Sequence, residues 1–445
     1  MCDSVFCQCG VALSQPQSES QSVSCQFCHQ DVCVTRCIEH NQTLNQLVAA
    51  YVKLVLAIGH HEPLYVDAYY GPAEWRVEAQ AQGLSLVTLA EHSADLVLRL
   101  EQARHGLPCQ SLRDRHHFLS KQLASVAVYL KRSMGQRLSF DAESQALYDT
   151  RAPEHSLSEF HEALARLDNL LPGEGSLTKR FDAYRSRFIV PADKVPEVFT
   201  AAVEQARLLT KRHIALPEGE QFRVEFVKDE IWTAYNWYQG DYTSLIQLNQ
   251  DHPLHLERAL ELASHEGYPG HHVFNLLQEH ELVRALGWWE YAIYPLYSPI
   301  SFLSEGSANF GLTLLMSREE RLSFEQQVLM PMAGIEGDLP HYHQVMEAYK
   351  ALANLDTLVC KQLIDGEITA EEAARLLVDY ALYTPEKAAQ RVRFYLANRS
   401  YVINYHHGEA SVGEYVTRKA RDSAQAWKEF AALLARPRAA SEIIR

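Results

Sequence analysis

The chain has 445 residues and a formal net charge of −15, with 47% apolar and 22% charged residues, which is typical of a globular protein with a large core. The negative charge repels phosphate backbones and argues against a nucleic-acid partner. No apolar run has the length that a bilayer crossing needs, and the first residues lack the basic and apolar pattern of a secretory signal. We therefore expect a cytoplasmic protein without a membrane partner.

The cysteines are concentrated at the start of the chain. Seven of the nine fall within the first 37 residues, and Cys7, Cys9, Cys25 and Cys28 have a spacing that could form a small tetrahedral zinc site. A flexible leader without a metal is the alternative. We treat residues 1–42 as a separate Cys-rich segment, and the scarcity of cysteine in the rest of the chain indicates a reducing compartment.

Helical periodicity begins near residue 43. Apolar residues then recur at three- and four-residue steps, as on the buried face of an amphipathic helix. The pattern predicts helices near residues 43–59, 86–104, 112–134, 156–171 and 196–213. We expect them to form an N-terminal helical lobe over residues 43–215. Ser156 with Glu159 fits a capping box, and Thr384 before Pro385 is typical of a helix start.

One region breaks this helical pattern. Residues 222–249 are rich in aromatic and β-branched residues and contain the turn-forming sequence "QGD" at positions 239–241, which predicts a β-hairpin. A helical pattern resumes at residues 254–268, and we expect a second helical lobe over residues 216–445. The predicted fold class is mostly α, with many helices and a small antiparallel hairpin or sheet beside the helix that follows it.

That helix leads into "HEGYPGHH", residues 265–272, where three histidines and a carboxylate lie close together in the chain. Zinc needs ligand nitrogens about 2.0 to 2.1 Å away, so two helical histidines must project side by side. His271 comes six residues after His265, which puts it about 120° around an ideal helix. His272 returns to the first face, but roughly 10.5 Å further along the axis. An undistorted helix therefore cannot join His265 and a second histidine at one ion.

Pro269 changes this geometry, because it has no N–H to donate and its ring clashes with the carbonyl of His265. Tyr268, which precedes the proline, is also driven out of helical geometry. If Pro269 and Gly270 bulge outward as a two-residue insertion, His265 and His271 regain the i, i+4 relation. Glycine permits the unusual dihedral angles of such a bulge. The break favours His271 over the histidine that follows it as the second ligand.

Two glutamates complete the predicted site. Glu266 would stay off the ion and act as general base on a metal-activated water. Residues 301–316 predict a later helix in which Glu305 is isolated among small and apolar residues, where a cation would offset the cost of burying it. Asn309, one turn further on, could hydrogen-bond a ligand. The small residues of this helix would let it pack closely against a partner: Gly306, Ser307, Ala308 and Gly311.

The motifs "HEGYPGHH" and "SEGSANF" resemble those of the bacterial proteins classified as domain of unknown function 885, whose pattern is His-Glu-x-x-Pro-Gly-His-His with a downstream Glu-Gly-x-Ala. That family is similar to zinc metallopeptidases of the gluzincin type. The resemblance, which covers residues 43–430, implies a metallopeptidase-like fold with zinc on His265, His271 and Glu305, and a catalytic role for Glu266.

The family also tends to carry Tyr-x-x-Gly near its C-terminal end, matched here by "YHHG" from position 405, whereas Ser307 stands where the family usually has tryptophan. Tyr405 is our first candidate for the group that stabilises the oxyanion, and His406 is the second. The alternative for Tyr405 is an ordinary tyrosine of the core. Three arginines could bind the terminal carboxylate of a peptide, as in a carboxypeptidase, the alternative being that most of them are solvated helix residues: Arg391, Arg393 and Arg399.

The sequence therefore predicts a zinc-dependent hydrolase that cleaves amide bonds of peptides through a metal-activated water. The hairpin could hold an extended peptide by strand addition. A metal-dependent hydrolase of small amide or ester conjugates is the second hypothesis, and a non-enzymatic helical scaffold that carries an ion is the third. Two nitrogens and one carboxylate also suit manganese or iron.

Overall fold

A computed structural model describes residues 31–230, 233–436 and 438–444. This part of the chain is mostly helical, as the sequence predicts. The α-helices are α1 (Asp31–His61), α2 (Ala73–Gln82), α3 (Leu86–Ala103), α4 (Gln110–Ser133), α5 (Phe140–Tyr148), α6 (His161–Leu170), α7 (Leu177–Arg185), α8 (Val195–Thr210), α9 (Leu256–Leu262), α10 (His271–Gln278), α11 (Pro299–Leu315), α12 (Arg318–Phe324), α13 (Met330–Ala333), α14 (Leu339–Lys350), α15 (Leu355–Ile364), α16 (Ala370–Tyr380), α17 (Pro385–Asn398), α18 (Ile403–Lys419), α19 (Ser423–Ala435) and α20 (Ala440–Ile443). The strands are β1 (Val66–Tyr69), β2 (Gln221–Val227), β3 (Ala234–Gly240), β4 (Thr243–Asn249) and β5 (Ile293–Pro295).

Four of the five predicted helical segments begin and end close to the predicted positions, because periodicity and capping agree there, whereas the first helix begins earlier than residue 43. Ser156 and Glu159 form the predicted capping box, and the backbone N–H of Ser156 donates to Glu159 Oε1 at 2.8 Å. Thr384 caps α17 by accepting the backbone N–H of Lys387 at 3.3 Å, and Pro385 is the first helical residue. None of the helices in the described ranges offers an apolar stretch long enough for a bilayer crossing.

The first described helix crosses the boundary expected at residue 42. α1 begins at Asp31 and runs without interruption to His61, with Leu44 and Val48 fully buried. The C-terminal part of the Cys-rich segment is therefore continuous with a helix of the core. The four cysteines of the predicted zinc site, Cys7, Cys9, Cys25 and Cys28, lie outside the described residues, so that site stays a prediction.

The predicted hairpin is formed by β3 and β4, which pair in antiparallel fashion. Asp241 and Tyr242 connect them with φ of 51° and 57°, the left-handed geometry of a type I′ turn, one residue later than expected. β2 lies on the other side of β4 and runs parallel to it. Because two reversals of direction bring β4 back to the orientation of β2, the three-stranded sheet is mixed instead of purely antiparallel.

A buried carboxylate attaches this hairpin to the segment that follows α10. Glu279 accepts the backbone N–H groups of Asp241 at 3.1 Å and Tyr242 at 3.3 Å, and it also accepts the hydroxyl of Tyr238. Beside it, the side-chain amide of Asn236 on β3 donates to the backbone carbonyl of Glu266 at 2.6 Å. The sheet is thereby held against the segment that carries the predicted general base.

The two predicted lobes share one hydrophobic core, although the position expected for their boundary, residue 215, does fall in the connection between α8 and β2. β1 pairs antiparallel with β5 across that division. Arg115 on α4 also forms a bidentate ion pair with Glu290, with Nε–Oε1 and Nη2–Oε2 distances of 2.5 and 2.8 Å. Only 1% of Arg115 and 2% of Glu290 is exposed. The division into lobes stays a prediction.

We expect Glu290→Gln to lower the free energy of unfolding by about 3 kcal/mol or more, because the substitution leaves the Arg115 guanidinium buried without its counter-charge. Urea denaturation followed by circular dichroism measures this change. Asp95→Asn is the control, since the exposed Asp95–Arg99 pair on α3 joins atoms 3.3 Å apart in water and should contribute about 1 kcal/mol or less. Equal small losses in both variants would contradict the prediction.

Candidate metal centre

The helix that leads to His265 ends in a wide turn. α9 stops at Leu262, and Ala263–Gly267 form a π-helical turn that contains His265. Tyr268 is extended, with φ of −124° and ψ of 114°, as its position before a proline favours. α10 then begins at His271. The chain breaks where the sequence predicts, but into two separate helices instead of one helix with a two-residue bulge.

Gly270 is required at this break mainly by space. Its φ of −77° lies outside the left-handed region, although its ψ of −135° is unusual. A Cβ atom at this position would lie 1.9 Å from the carbonyl oxygen of His265 and 2.4 Å from that of Ser264. Its own N–H donates to the Ser264 carbonyl at 2.9 Å. The backbone can therefore fold back over the wide turn only where no side chain is present.

This break brings the predicted ligands together. The Nε2 atoms of His265 and His271 lie 3.2 Å apart. Glu305 Oε2, on α11, lies 3.4 Å from the first nitrogen and 3.7 Å from the second. A tetrahedral zinc ion with bonds of about 2.1 Å separates its ligand atoms by roughly 3.4 Å. The three side chains therefore have the chemistry and the mutual spacing of a zinc site, and we identify them as a group able to hold a metal ion.

Each histidine is oriented through its other ring nitrogen. His265 Nδ1 lies 3.0 Å from Asn309 Oδ1, which can only accept, so the proton is on Nδ1 and Nε2 offers a lone pair. His271 Nδ1 lies 3.0 Å from Ser304 Oγ. Such outer hydrogen bonds orient metal-ligating imidazoles and raise their basicity. The sequence predicts the hydrogen bond of Asn309 but missed that of Ser304, although this serine directly precedes the predicted ligand Glu305.

The two carboxylate oxygens of Glu305 differ in their hydrogen bonding. Tyr401 donates its hydroxyl to Oε1 at 2.8 Å, whereas Oε2 is buried and has no hydrogen-bond partner among the described residues. Burial raises the pKa of this carboxyl, but the imidazoles of His265 and His271 outweigh burial and hold the pKa well below its usual value. A buried carboxylate with one oxygen free toward two imidazole nitrogens is suited to a cation.

Close packing of two helices brings Tyr401 and Tyr405 to this site. A Cβ atom at Gly306 on α11 would lie 2.5 Å from the backbone carbon of Gly408 on α18, so both glycines are needed for the contact. A Cβ atom at Gly311, also on α11, would lie 3.0 Å from Pro269 Cγ, so this glycine allows a close contact with the proline ring. The Glu-Gly and Tyr-x-x-Gly motifs of the sequence therefore meet in space at their glycines.

Glu266 lies beside the three ligands without belonging to the group. Only 6% of Glu266 is exposed. Burial is the main reason why its pKa is raised to about 7. The charge of His265 lowers this pKa, whereas the charges of Glu305 and Asp67 raise it. A cation held by the ligands would lower this pKa again. A carboxylate that titrates near neutrality and lies next to the ligands is able to accept a proton from a water in the site.

Tyr405 and His406 belong to different surroundings. Burial raises the pKa of Tyr405 well above its usual value, and the charges of Glu305 and Glu266 raise this pKa further. His406 instead faces Asp356 and lines an open groove of about 800 Å³. Of these two candidates for the oxyanion donor, Tyr405 lies with the carboxylates of the site.

The three arginines proposed for a terminal carboxylate also differ. Arg399 is committed to the buried Glu143 at 2.6 Å and to the Leu138 carbonyl at 2.9 Å, so it holds the fold together and is not available to a substrate. Arg393 is exposed on α17. Arg391 pairs with Asp356.

The sequence did not predict that Asp67 and Tyr235 lie near the site. Asp67 on β1 accepts a hydrogen bond from the Tyr235 hydroxyl on β3. Burial raises the pKa of Asp67 to about 6, and its charge also interacts with His271 and Glu305. Because strand pairing over more than two hundred residues brings Asp67 here, no local pattern could have indicated it.

No family model and no curated protein matches this chain. The solved structures that resemble it at low identity include the following three. "The putative lipoprotein from Colwellia psychrerythraea" is 13% identical with a TM-score of 0.49, over 81% of this chain and 68% of the other. A "putative lipoprotein of unknown function from Shewanella oneidensis" is 13% identical with a TM-score of 0.45, over 84% and 78%. The "M32 carboxypeptidase from Deinococcus radiodurans R1" is 12% identical with a TM-score of 0.36, over 90% and 89%. At such values the likeness to domain of unknown function 885 rests on the sequence motifs.

We expect Ser304→Ala to weaken zinc binding by about 10-fold or more, because His271 loses the partner that orients its ring. Competition with a chromogenic chelator measures the affinity. Ser307→Ala is a matched control: Ser307 is a buried serine of the same helix, but its hydroxyl donates to the Ser304 carbonyl at 3.0 Å and not to a ligand. Equal zinc affinity in the two variants would rule out this role for Ser304.

Proposed function

We propose that this protein is a zinc-dependent metallopeptidase that hydrolyses amide bonds of peptides with an activated water. The observation that carries the proposal is the convergence of three ligand atoms, from His265, His271 and Glu305, within 4.8 Å of one another, beside the carboxylate of Glu266. Three protein ligands leave the fourth position of a tetrahedral ion open, which is typical of catalytic zinc sites and not of structural ones.

The donor set supports zinc as the ion. Two imidazole nitrogens and one carboxylate oxygen suit zinc, although manganese and iron accept similar ligands. When bound, zinc would polarise the substrate carbonyl and acidify a water at its open position. Three atoms would hold the ion: Glu305 Oε2, which has no hydrogen-bond partner among the described residues, and the Nε2 atoms of His265 and His271.

The remaining residues supply the proton transfers and the orientation. Glu266 takes a proton from the attacking water and passes it to the leaving amine. Tyr405 keeps its hydroxyl proton, since its pKa is raised well above the usual value, and can donate it as a hydrogen bond to the developing oxyanion. Asn309 and Ser304 keep the imidazoles in one orientation throughout.

A hydrolase of small amide or ester conjugates would use the same residues in the same roles, so it is the second candidate. The mixed sheet favours the peptide, because β3 lies against Glu266 through Asn236 and an extended substrate could follow a strand there. A helical scaffold with an idle ion is the third candidate, but it gives no reason for a carboxyl of raised pKa beside the ligands. A cytoplasmic location stays part of this proposal.

We expect Glu266→Gln to lower kcat by about 10²- to 10⁴-fold while the zinc content stays at the wild-type value, since the amide cannot accept a proton. Release of amino groups from a peptide mixture measures turnover, and elemental analysis measures zinc. Glu281→Gln, at an exposed glutamate, is the control. Full turnover by Glu266→Gln would leave only the scaffold or a different base. Hydrolysis of acylated amino acids but not of peptides would favour the second candidate.

We expect Tyr405→Phe to lower kcat by about 10²-fold or more with little change in KM, because the lost hydrogen bond forms to the oxyanion and not to the ground state. His406→Ala, at the adjacent position, should retain kcat, since that side chain faces the groove. Steady-state kinetics on one peptide substrate measure both variants. A loss in His406→Ala with full activity in Tyr405→Phe would reverse the assignment.

A further inference from the structure

His272, the last residue of the "HEGYPGHH" motif, is bound outside the candidate metal centre. Its side chain is fully buried, and both of its ring nitrogens have partners. Nδ1 lies 2.8 Å from Ser244 Oγ on β4, and Nε2 lies 3.2 Å from Glu220 Oε1. An ionised carboxylate can only accept, so Nε2 carries the proton of this second contact. His272 therefore connects the start of α10 to the residue that directly precedes β2.

The same carboxylate also binds the residue on the other side of the break. Tyr268 is fully buried and donates its hydroxyl to Glu220 Oε1. Tyr268 comes directly before Pro269 and Gly270, and His272 comes two residues after them. One oxygen atom of Glu220 thus accepts hydrogen bonds from both sides of the Pro269–Gly270 break.

Glu220 is itself held in place by an ion pair. Arg207 on α8 donates from Nη2 to the second oxygen, Oε2, at 2.6 Å, and only 2% of the Glu220 side chain is exposed. Burial raises the pKa of Glu220, but hydrogen bonds from His272, Tyr268 and Arg207 outweigh burial and lower the pKa to about 2. Glu220 is therefore ionised at neutral pH, and hydrogen bonds to an ionised acceptor are roughly twice as strong as those between neutral groups.

Packing against β2 supports the same two side chains. The ring of Phe222, two residues after Glu220, lies 5.2 Å from that of Tyr268 and 5.4 Å from that of His272, measured between centroids. A Cβ atom at Gly267 would lie 3.0 Å from the Phe222 ring, so the wide turn also packs closely against this strand. Hydrogen bonds and packing from one short stretch of chain therefore hold the break on both sides.

The two predicted histidine ligands stand next to the residues that Glu220 holds. Tyr268 ends the π-helical turn that contains His265, and His271 directly precedes His272 in the first turn of α10. The Nε2 atoms of the two ligands lie 3.2 Å apart. Their separation depends on how the two sides of the break are held relative to each other, and ligands held in advance lose less freedom when an ion binds.

We propose that Glu220 is a positioning residue of the metal centre. By holding Tyr268 and His272, its carboxylate fixes the separation of the two ligand imidazoles, and this raises the affinity for the metal ion. The proposal rests on the metal site of the proposed function, but it does not require that the protein cleave peptides. Ser244, His272 and Glu220 do not form a hydrolytic triad of their own, because Ser244 is fully buried and no substrate reaches it.

The test measures zinc affinity of the full chain by competition with a chromogenic chelator. Glu220→Gln should weaken zinc binding by about 10-fold or more, because a neutral amide holds the break less firmly. The visible absorption of bound Co²⁺ at saturation should also fall, since water replaces an imidazole and the coordination number rises. Tyr268→Phe, which removes a single oxygen atom, should cause a smaller loss of zinc affinity in the same direction. The N-terminal cysteines are the same in every variant, so differences from wild type report on this site.

Glu290→Gln is the matched control for a general loss of stability. It also neutralises a buried carboxylate that is paired with an arginine, but Glu290 binds Arg115 and not the break. This variant should be less stable than wild type and should keep the wild-type zinc affinity and Co²⁺ absorption. An equal loss of zinc affinity in Glu290→Gln and Glu220→Gln would overturn the proposal.

Wild-type zinc affinity in Glu220→Gln or in Tyr268→Phe would also overturn the proposal, and Tyr268→Phe decides the question if Glu220→Gln does not fold. Neither measurement depends on turnover, which separates the positioning role from the proposed function. Weaker zinc binding in Glu220→Gln, in a protein whose wild type cleaves no peptide, would support the positioning residue and reject the peptidase. Peptide cleavage by wild type, together with unchanged zinc affinity in Glu220→Gln, would reject only the positioning role.

Discussion

The close backbone approach at Gly270 is the constraint on which the rest of the site depends. Pro269 cannot continue a helix, and the chain folds back so tightly that a Cβ at Gly270 would lie 1.9 Å from the His265 carbonyl. This reversal ends one helix after His265 and begins the next at His271, which turns a spacing unsuited to one helix into two imidazole nitrogens 3.2 Å apart. Every role proposed for a neighbouring side chain depends on these two nitrogens lying close together.

A second contact between backbones adds the other half of the site. Gly306 and Gly408 let α11 and α18 approach more closely than side chains would allow, so Glu305 and Tyr401 face each other across the contact. The site thus lies between two close backbone contacts, at Gly270 and at Gly306 with Gly408, where the lack of a side chain lets helical segments approach. Rigid elements hold catalytic groups more tightly than loops do, which suits the proposed metal centre, whose predicted ligands come from two parts of the chain.

Charge explains why a cation suits this site. Glu305 raises the pKa of both Glu266 and Asp67, and a cation held beside these carboxylates would remove that cost.

The sequence by itself determined most helices, through apolar periodicity and caps such as Thr384, and it indicated His265, His271 and Glu305, because a proline between histidines and an isolated acid among small residues are local signals. Only the tertiary structure decided the parallel pairing of β2, the hydrogen bonds of Ser304 and Tyr401, and the position of Asp67. The physical reason is that strand order and hydrogen-bond partners depend on contacts between residues far apart in the chain, and a local pattern carries no information about which of them meet.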